Sequence, residues 1–152
     1  MTQEQDQPGA DAPAASPAIV ATWTGGRQFV HRSATGHALV TDTPVGSGGG
    51  GTAPTPMELV LMGLAGCTGV DVASILESMR QPLRALTVTA EFERAADHPR
   101  VYTRIVLRYR LSGELDPGRV DRAVALSRDR YCSVSAMLAP TVPIEHVVEI
   151  LP

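Results

Sequence analysis

The chain has 152 residues, 43% of them hydrophobic and 4% aromatic, with a net charge of −3 and a pI near 5.8. That length fits one domain with a real core, which must be built mainly from Val, Leu, Ile, Ala and Met. The charge balance supplies no electrostatic footprint for nucleic acid, which would want a clustered basic face.

Residues 1–17 are rich in Gln, Ala, Pro and acid and carry no apolar period, which predicts a disordered tail ahead of a folded domain over 18–152. Met1–Asp6 is polar and acidic, which predicts neither a signal nor a transit peptide. Three short strands follow, over 18–23, 28–33 and 37–42, broken at Gly25-Gly26 and turned at Thr35-Gly36. Gly46–Gly51 reads as a flexible loop. It lacks the Gly-Lys-Ser/Thr ending of a phosphate-binding loop.

Thr55, Pro56 and Glu58 have the spacing of a capping box with proline at the first helical position. The helix they open is expected to run to Met79-Arg80, before Pro82, for a length of roughly 35–40 Å. Its first half is apolar all round and so needs cover on more than one side. The longest charge-free run, Leu59 to Val70, contains three glycines and is short for a bilayer, so it reads as a buried core helix and no membrane partner is expected. Gly63 and Gly66 weaken such a helix unless another helix approaches closely there.

Residues 83–94 and 101–111 alternate as a long antiparallel hairpin. Leu86, Val88, Ala90 and Phe92 oppose Thr87, Thr89, Glu91 and Glu93; Ile105, Leu107, Tyr109 and Leu111 oppose Tyr102, Arg104, Arg108 and Arg110. Asp116-Pro117 starts a second helix with Val120, Ala123, Val124 and Ser127 on one stripe. Residues 133–138 form a helical turn stopped by Pro140, and 144–151 closes as a strand. The order βββ-α-ββ-α-β is an α+β pattern.

The only two cysteines are Cys67, inside the apolar helix, and Cys132, after the second one. Without a secretory signal, an even pair argues for redox chemistry in a reducing cytoplasm over a structural staple; the bland reading is two small buried hydrophobes. The two lie 132 − 67 = 65 residues apart, so only tertiary structure can join them. The four histidines are scattered without a ligand spacing, so no metal is expected.

The stretches Pro54-Thr55-Pro56-Met57-Glu58-Leu59 through Ala65-Gly66-Cys67-Thr68-Gly69-Val70-Asp71-Val72, and Arg130-Tyr131-Cys132-Ser133-Val134-Ser135-Ala136-Met137-Leu138, resemble the OsmC/Ohr superfamily of osmotically inducible and organic hydroperoxide resistance proteins. The resemblance covers about residues 18–151. It implies an intertwined α+β homodimer around a long buried central helix. It also implies thiol-dependent reduction of hydrophobic organic hydroperoxides, with an external, for example lipoyl-linked, dithiol as reductant and no bound cofactor. The peroxidatic role falls on Cys67 and the resolving role on Cys132. Arg27, after Gly25-Gly26, matches the family's arginine. The family's glutamate directly after a proline falls on Met57 here, with the acid one residue later at Glu58.

A peroxidatic thiol must ionise, which a nearby cation favours and burial opposes. Arg27 can be that cation or a solvated loop residue. Glu58 lies nine residues before Cys67, half a turn away on a regular helix, and its capping role competes with a catalytic one. Asp71, four residues after Cys67, shares its face and can hold Arg27 or pair with some other arginine. Tyr131 can wall the site or simply pack. Leu61, Met62, Leu64, Val70, Met137 and Leu138 would suit an apolar peroxide. A binding protein for a lipid-like molecule, or a redox sensor, is the alternative use of the same fold.

Overall fold

A computed structural model describes residues 18–152, so the tail expected over 1–17 lies outside the described residues. These residues fall into two compact units that meet in sequence at Thr55 and Pro56.

The first unit is an antiparallel meander of β1 (Val20–Gly25), β2 (Gln28–Arg32) and β3 (Ala38–Thr41). Each strand sits within two residues of its expected place. The glycine-rich segment, expected as a flexible loop, is a loop with local structure. It opens with a 3-10 turn over Val45–Ser47 and closes on the carboxylate of Asp42. That carboxylate accepts from the amides of Thr43 (2.7 Å), Gly50 (3.2 Å) and Thr52 (3.1 Å) and from the Thr52 hydroxyl (2.7 Å). Four donors hold the Asp42 pKa down at about 2, backbone and side chain of Thr52 foremost. A side chain at Gly49 is impossible, because its Cβ would lie 1.9 Å from the Thr43 carbonyl oxygen. Gly48 adopts φ +84°, and a Cβ there would meet Arg27 Nε at 3.0 Å.

The second unit opens with α1 (Pro56–Ser78). The helix ends through Arg80 in the left-handed region, with Gln81 N–H bonded to Leu76 O and Arg80 N–H to Glu77 O, a Schellman closure two residues before Pro82. A mixed sheet follows, ordered β4 (Leu83–Arg94), β5 (Tyr102–Gly113), β6 (Ile144–Leu151). β4 and β5 are antiparallel with Leu86 opposite Leu111 and Ala90 opposite Leu107. β6 runs parallel to β5, reached through α2 (Pro117–Leu126), a π-helical turn (Ser127–Tyr131) and α3 (Ser133–Leu138). Asp116 caps α2 by accepting from the Arg119 amide at 2.8 Å.

The wet face of this sheet carries the cross-strand ion pairs Arg108–Glu91 and Arg104–Glu93 and extends them to β6 through Arg104–Glu145 and Arg110–Glu149. Tyr102 departs from expectation. A bulge near Glu93–Arg94 shifts the parity at the hairpin's end, so Tyr102 is buried. It stacks edge-on to Phe92 and donates to the Met57 carbonyl at 2.7 Å.

The core joins Leu61, Leu64, Val72 and Leu76 of α1 to Ile105, Leu107, Tyr109 and Leu111 of β5 and to Val120, Ala123 and Val124 of α2. Within the chain, α1 therefore buries one stripe. By length and composition α1 could cross a membrane, but this stripe packs on the chain's own sheet and helices. Its opposite flank stays open, with Met62 55% and Val70 71% exposed. Among the described residues of this unit, no atom outside the helix comes within 4 Å of a Cβ built at Gly63 or Gly66, so the close approach expected there is not made by this unit's own elements.

Candidate active site

Cys67 and Asp71, one turn apart, share the edge of α1 next to its buried stripe, as the spacing predicts. The turn that follows α2 brings Cys132 to them. The two sulfurs and an Asp71 carboxylate oxygen all lie within 4.8 Å of one another. Both thiols are free; Cys67 is half-buried, whereas Cys132 is 2% exposed. Cys132 is the N-cap residue of α3, and its sulfur accepts from the Ser135 amide at 3.4 Å. Burial pushes the Cys132 thiol above its ordinary pKa, against the pull of that amide, and the neighbouring Cys67 sulfur adds to the rise.

Behind the thiols runs a buried polar chain that sequence reasoning missed. His146 Nδ1 lies 3.0 Å from Tyr109 Oη, Tyr109 Oη 2.8 Å from Thr68 Oγ1, and Thr68 Oγ1 2.9 Å from Ser127 Oγ; Ser127 Oγ donates to Asp71 Oδ2 at 3.0 Å. Each hydroxyl has one proton, and this fixes the direction. Ser127 spends its proton on Asp71, so it accepts from Thr68. Thr68 therefore accepts from Tyr109, and Tyr109 accepts from His146, whose proton must sit on Nδ1. Burial raises the Tyr109 phenol to about 12, and burial together with the Arg128 charge lowers His146. At neutral pH both are uncharged, and the chain stays intact. The available signals were Thr68 on the apolar stripe beside Cys67, and Ser127 on the stripe of α2.

The other expected site residues fall on other stretches of the chain. Glu58 sits half a turn around α1 from Cys67 and lines an apolar groove of about 330 Å³ with Met62, Val88 and Phe92. Arg27 belongs to the first unit, at the β1–β2 turn beside Gly48. Tyr131 is half-exposed under the Arg130 guanidinium, on a depression of about 140 Å³ that also touches Cys132 and Arg128. The apolar set expected around the thiols is dispersed. Leu64 is fully buried in the core, Met62 and Val70 line grooves between α1 and β4, and Met137 is exposed.

Residues 48–147 match the OsmC-like protein family. The chain belongs to the OsmC-like family. Over 130 residues it is 40% identical to Protein YhfA of Escherichia coli K12, covering 85% of this chain and 94% of YhfA. The crystal structure of a hypothetical protein from Aquifex aeolicus is 26% identical, with a TM-score of 0.79, over 89% of this chain and 96% of that one. The organic hydroperoxide resistance protein OsmC of Legionella pneumophila shares the fold at 21% identity, with a TM-score of 0.69, over 91% of this chain and 99% of its own. The α+β fold is thus that of the OsmC-like proteins, some of which are named for hydroperoxide resistance.

Proposed function

We propose that this OsmC-like protein is a cytoplasmic thiol peroxidase that reduces organic hydroperoxides and works as a homodimer. The observation that carries the reading is the meeting of two free thiols, 65 residues apart in sequence, beside one carboxylate. Cys67 is the more accessible sulfur and is assigned the attack. Its thiolate takes the terminal oxygen of ROOH, the O–O bond breaks, and the alkoxide leaves and is protonated to ROH, giving a sulfenic acid on Cys67. Cys132 waits as a protected thiol, its ionisation opposed by burial. It then attacks the sulfenic sulfur, water leaves and a disulfide forms, for the balance ROOH + 2 RSH → ROH + H₂O + RSSR. An external dithiol, lipoyl-linked for example, exchanges with the disulfide and restores both thiols.

The test is reaction of the pre-reduced protein with cumene hydroperoxide and, separately, hydrogen peroxide, followed by mass spectrometry. Rapid formation of the Cys67–Cys132 disulfide, faster with the organic peroxide and lost in Cys67→Ser, is expected. Undiminished peroxide turnover by Cys67→Ser would overturn the reading, and slow unselective oxidation would favour a binding protein on this fold. Arg27→Ala tests the activating cation that the family resemblance implies, and kcat/KM is expected to fall by about 10²–10³.

A further inference from the structure

We infer that Cys67 Sγ, Cys132 Sγ and the Asp71 carboxylate form a binding site for one zinc ion in the reduced protein. No histidine spacing announces it, and the sequence alone predicts no metal. The fold creates the site by carrying Cys132 to the Cys67–Asp71 edge of α1.

The donor chemistry selects the ion. Two thiolates with one carboxylate suit zinc, whereas calcium and magnesium take oxygen ligands. Around a tetrahedral zinc with Zn–S of about 2.3 Å, ligand atoms lie roughly 3.5–3.8 Å apart. Here the three donors already lie within 4.8 Å of one another, so side-chain rotations that draw each in by less than about 1 Å would close the set. Three protein ligands leave the fourth position open to water, and half-buried Cys67 gives a way in.

The surroundings resemble a supporting shell. Ser127 holds Asp71 Oδ2 at 3.0 Å and is itself fixed by Thr68 and Tyr109. The Ser135 amide orients the Cys132 sulfur. Arg128, which shares a surface depression with Cys132, has its charge offset by Asp129, with Nη2–Oδ2 at 2.8 Å. Zinc binding displaces the thiol protons, and a Cys67–Cys132 disulfide abolishes the site, so metal and disulfide exclude each other. The site needs no peroxide turnover and stands apart from the peroxidase reading.

The test uses untagged, full-length protein, reduced and metal-free, with zinc competed by a chromophoric chelator. One zinc per chain is expected, with none bound after diamide oxidation. Cys67→Ser and Asp71→Asn are each expected to weaken binding by at least about tenfold. Cobalt in place of zinc should give a thiolate charge-transfer band that Cys67→Ser diminishes. Since Cys132→Ser can upset the core, far-ultraviolet circular dichroism of each variant accompanies the titration, and the judgement rests on the two α1 variants. Less than one zinc per reduced chain, or wild-type affinity in either variant, would overturn the inference, whatever the peroxidase assay shows.

Discussion

The direction of the buried chain from His146 to Asp71 makes a claim that can be measured. Neutral His146 should carry its proton on Nδ1, because every hydroxyl between it and the Asp71 carboxylate has its single proton committed away from it. Long-range ¹H–¹⁵N correlation of the imidazole reads the tautomer directly, and a dominant Nε2–H form would break the derivation. Tyr109→Phe removes one hydroxyl and strands its two neighbours in a buried place, so a loss of about 1–3 kcal/mol in urea unfolding is expected, with the fold retained. A cost near zero would mean that water substitutes for the phenol. At this scale the sequence was half legible. Four-residue spacing places Asp71 beside Cys67 without any structure. Nothing local brings Cys132 or Ser127 to them, since those contacts depend on the π-helical turn after Leu126, which redirects the chain between α2 and α3.

Among the elements, the loop after β3 departs most from what its composition suggests. Six residues over 46–51, five of them glycine, look flexible because glycine has the most freedom to lose. The loop is ordered by one side chain outside the run, Asp42, which gathers four donors onto one carboxylate. Its depressed pKa carries a pH signature. The folded value is about 2, below the ordinary carboxylate value of 3.8, so Asp42 contributes its full stability above pH ~4 and loses it as the pH falls toward 2. Carboxyl-detected titration should find the low midpoint at Asp42. Asp42→Asn should lower stability at neutral pH and flatten the acid limb between pH ~4 and 2. An ordinary midpoint would show that the loop does not close on this carboxylate in solution. The hairpin was far more legible, since alternation over 86–93 and 104–111 fixes the faces. The register shifts at Leu83–Ala85 and Glu93–Arg94 escaped, because a slip of one residue leaves no trace in the pattern, and the second moves Tyr102 from the wet face to the core.

For the whole molecule, what the chain leaves uncovered matters as much as what it buries. Met62, Gly66 and Val70 recur every four residues, a stripe roughly opposite the one α1 turns to its own core. A helix this apolar with an open flank needs a further surface to cover it, and the missing side chains at Gly63 and Gly66 leave room for a helix backbone to come close. The meander adds to the argument, with Trp23 63% exposed and, on the same sheet face, Phe29 directly opposite it and Leu39 also exposed. These are large apolar groups on strands, where single exposed residues are ordinary but a cluster marks an interface. The amino-acid pattern carried this demand from the start, as an apolar helix wanting cover on several sides, but a pattern cannot say whether the cover is internal. The fold answers for one stripe, and the proposed homodimer would cover the other with a second copy. The expected result is a dimer of the wild-type protein in sedimentation equilibrium. Val70→Arg places a charge from each copy on the open flank and should shift the mass toward the monomer while leaving the circular dichroism spectrum unchanged, since Val70 contributes nothing to the internal core. A monomeric wild type, or a Val70→Arg variant as dimeric as its parent, would place the partner of α1 elsewhere and require a different account of why so apolar a helix is left open.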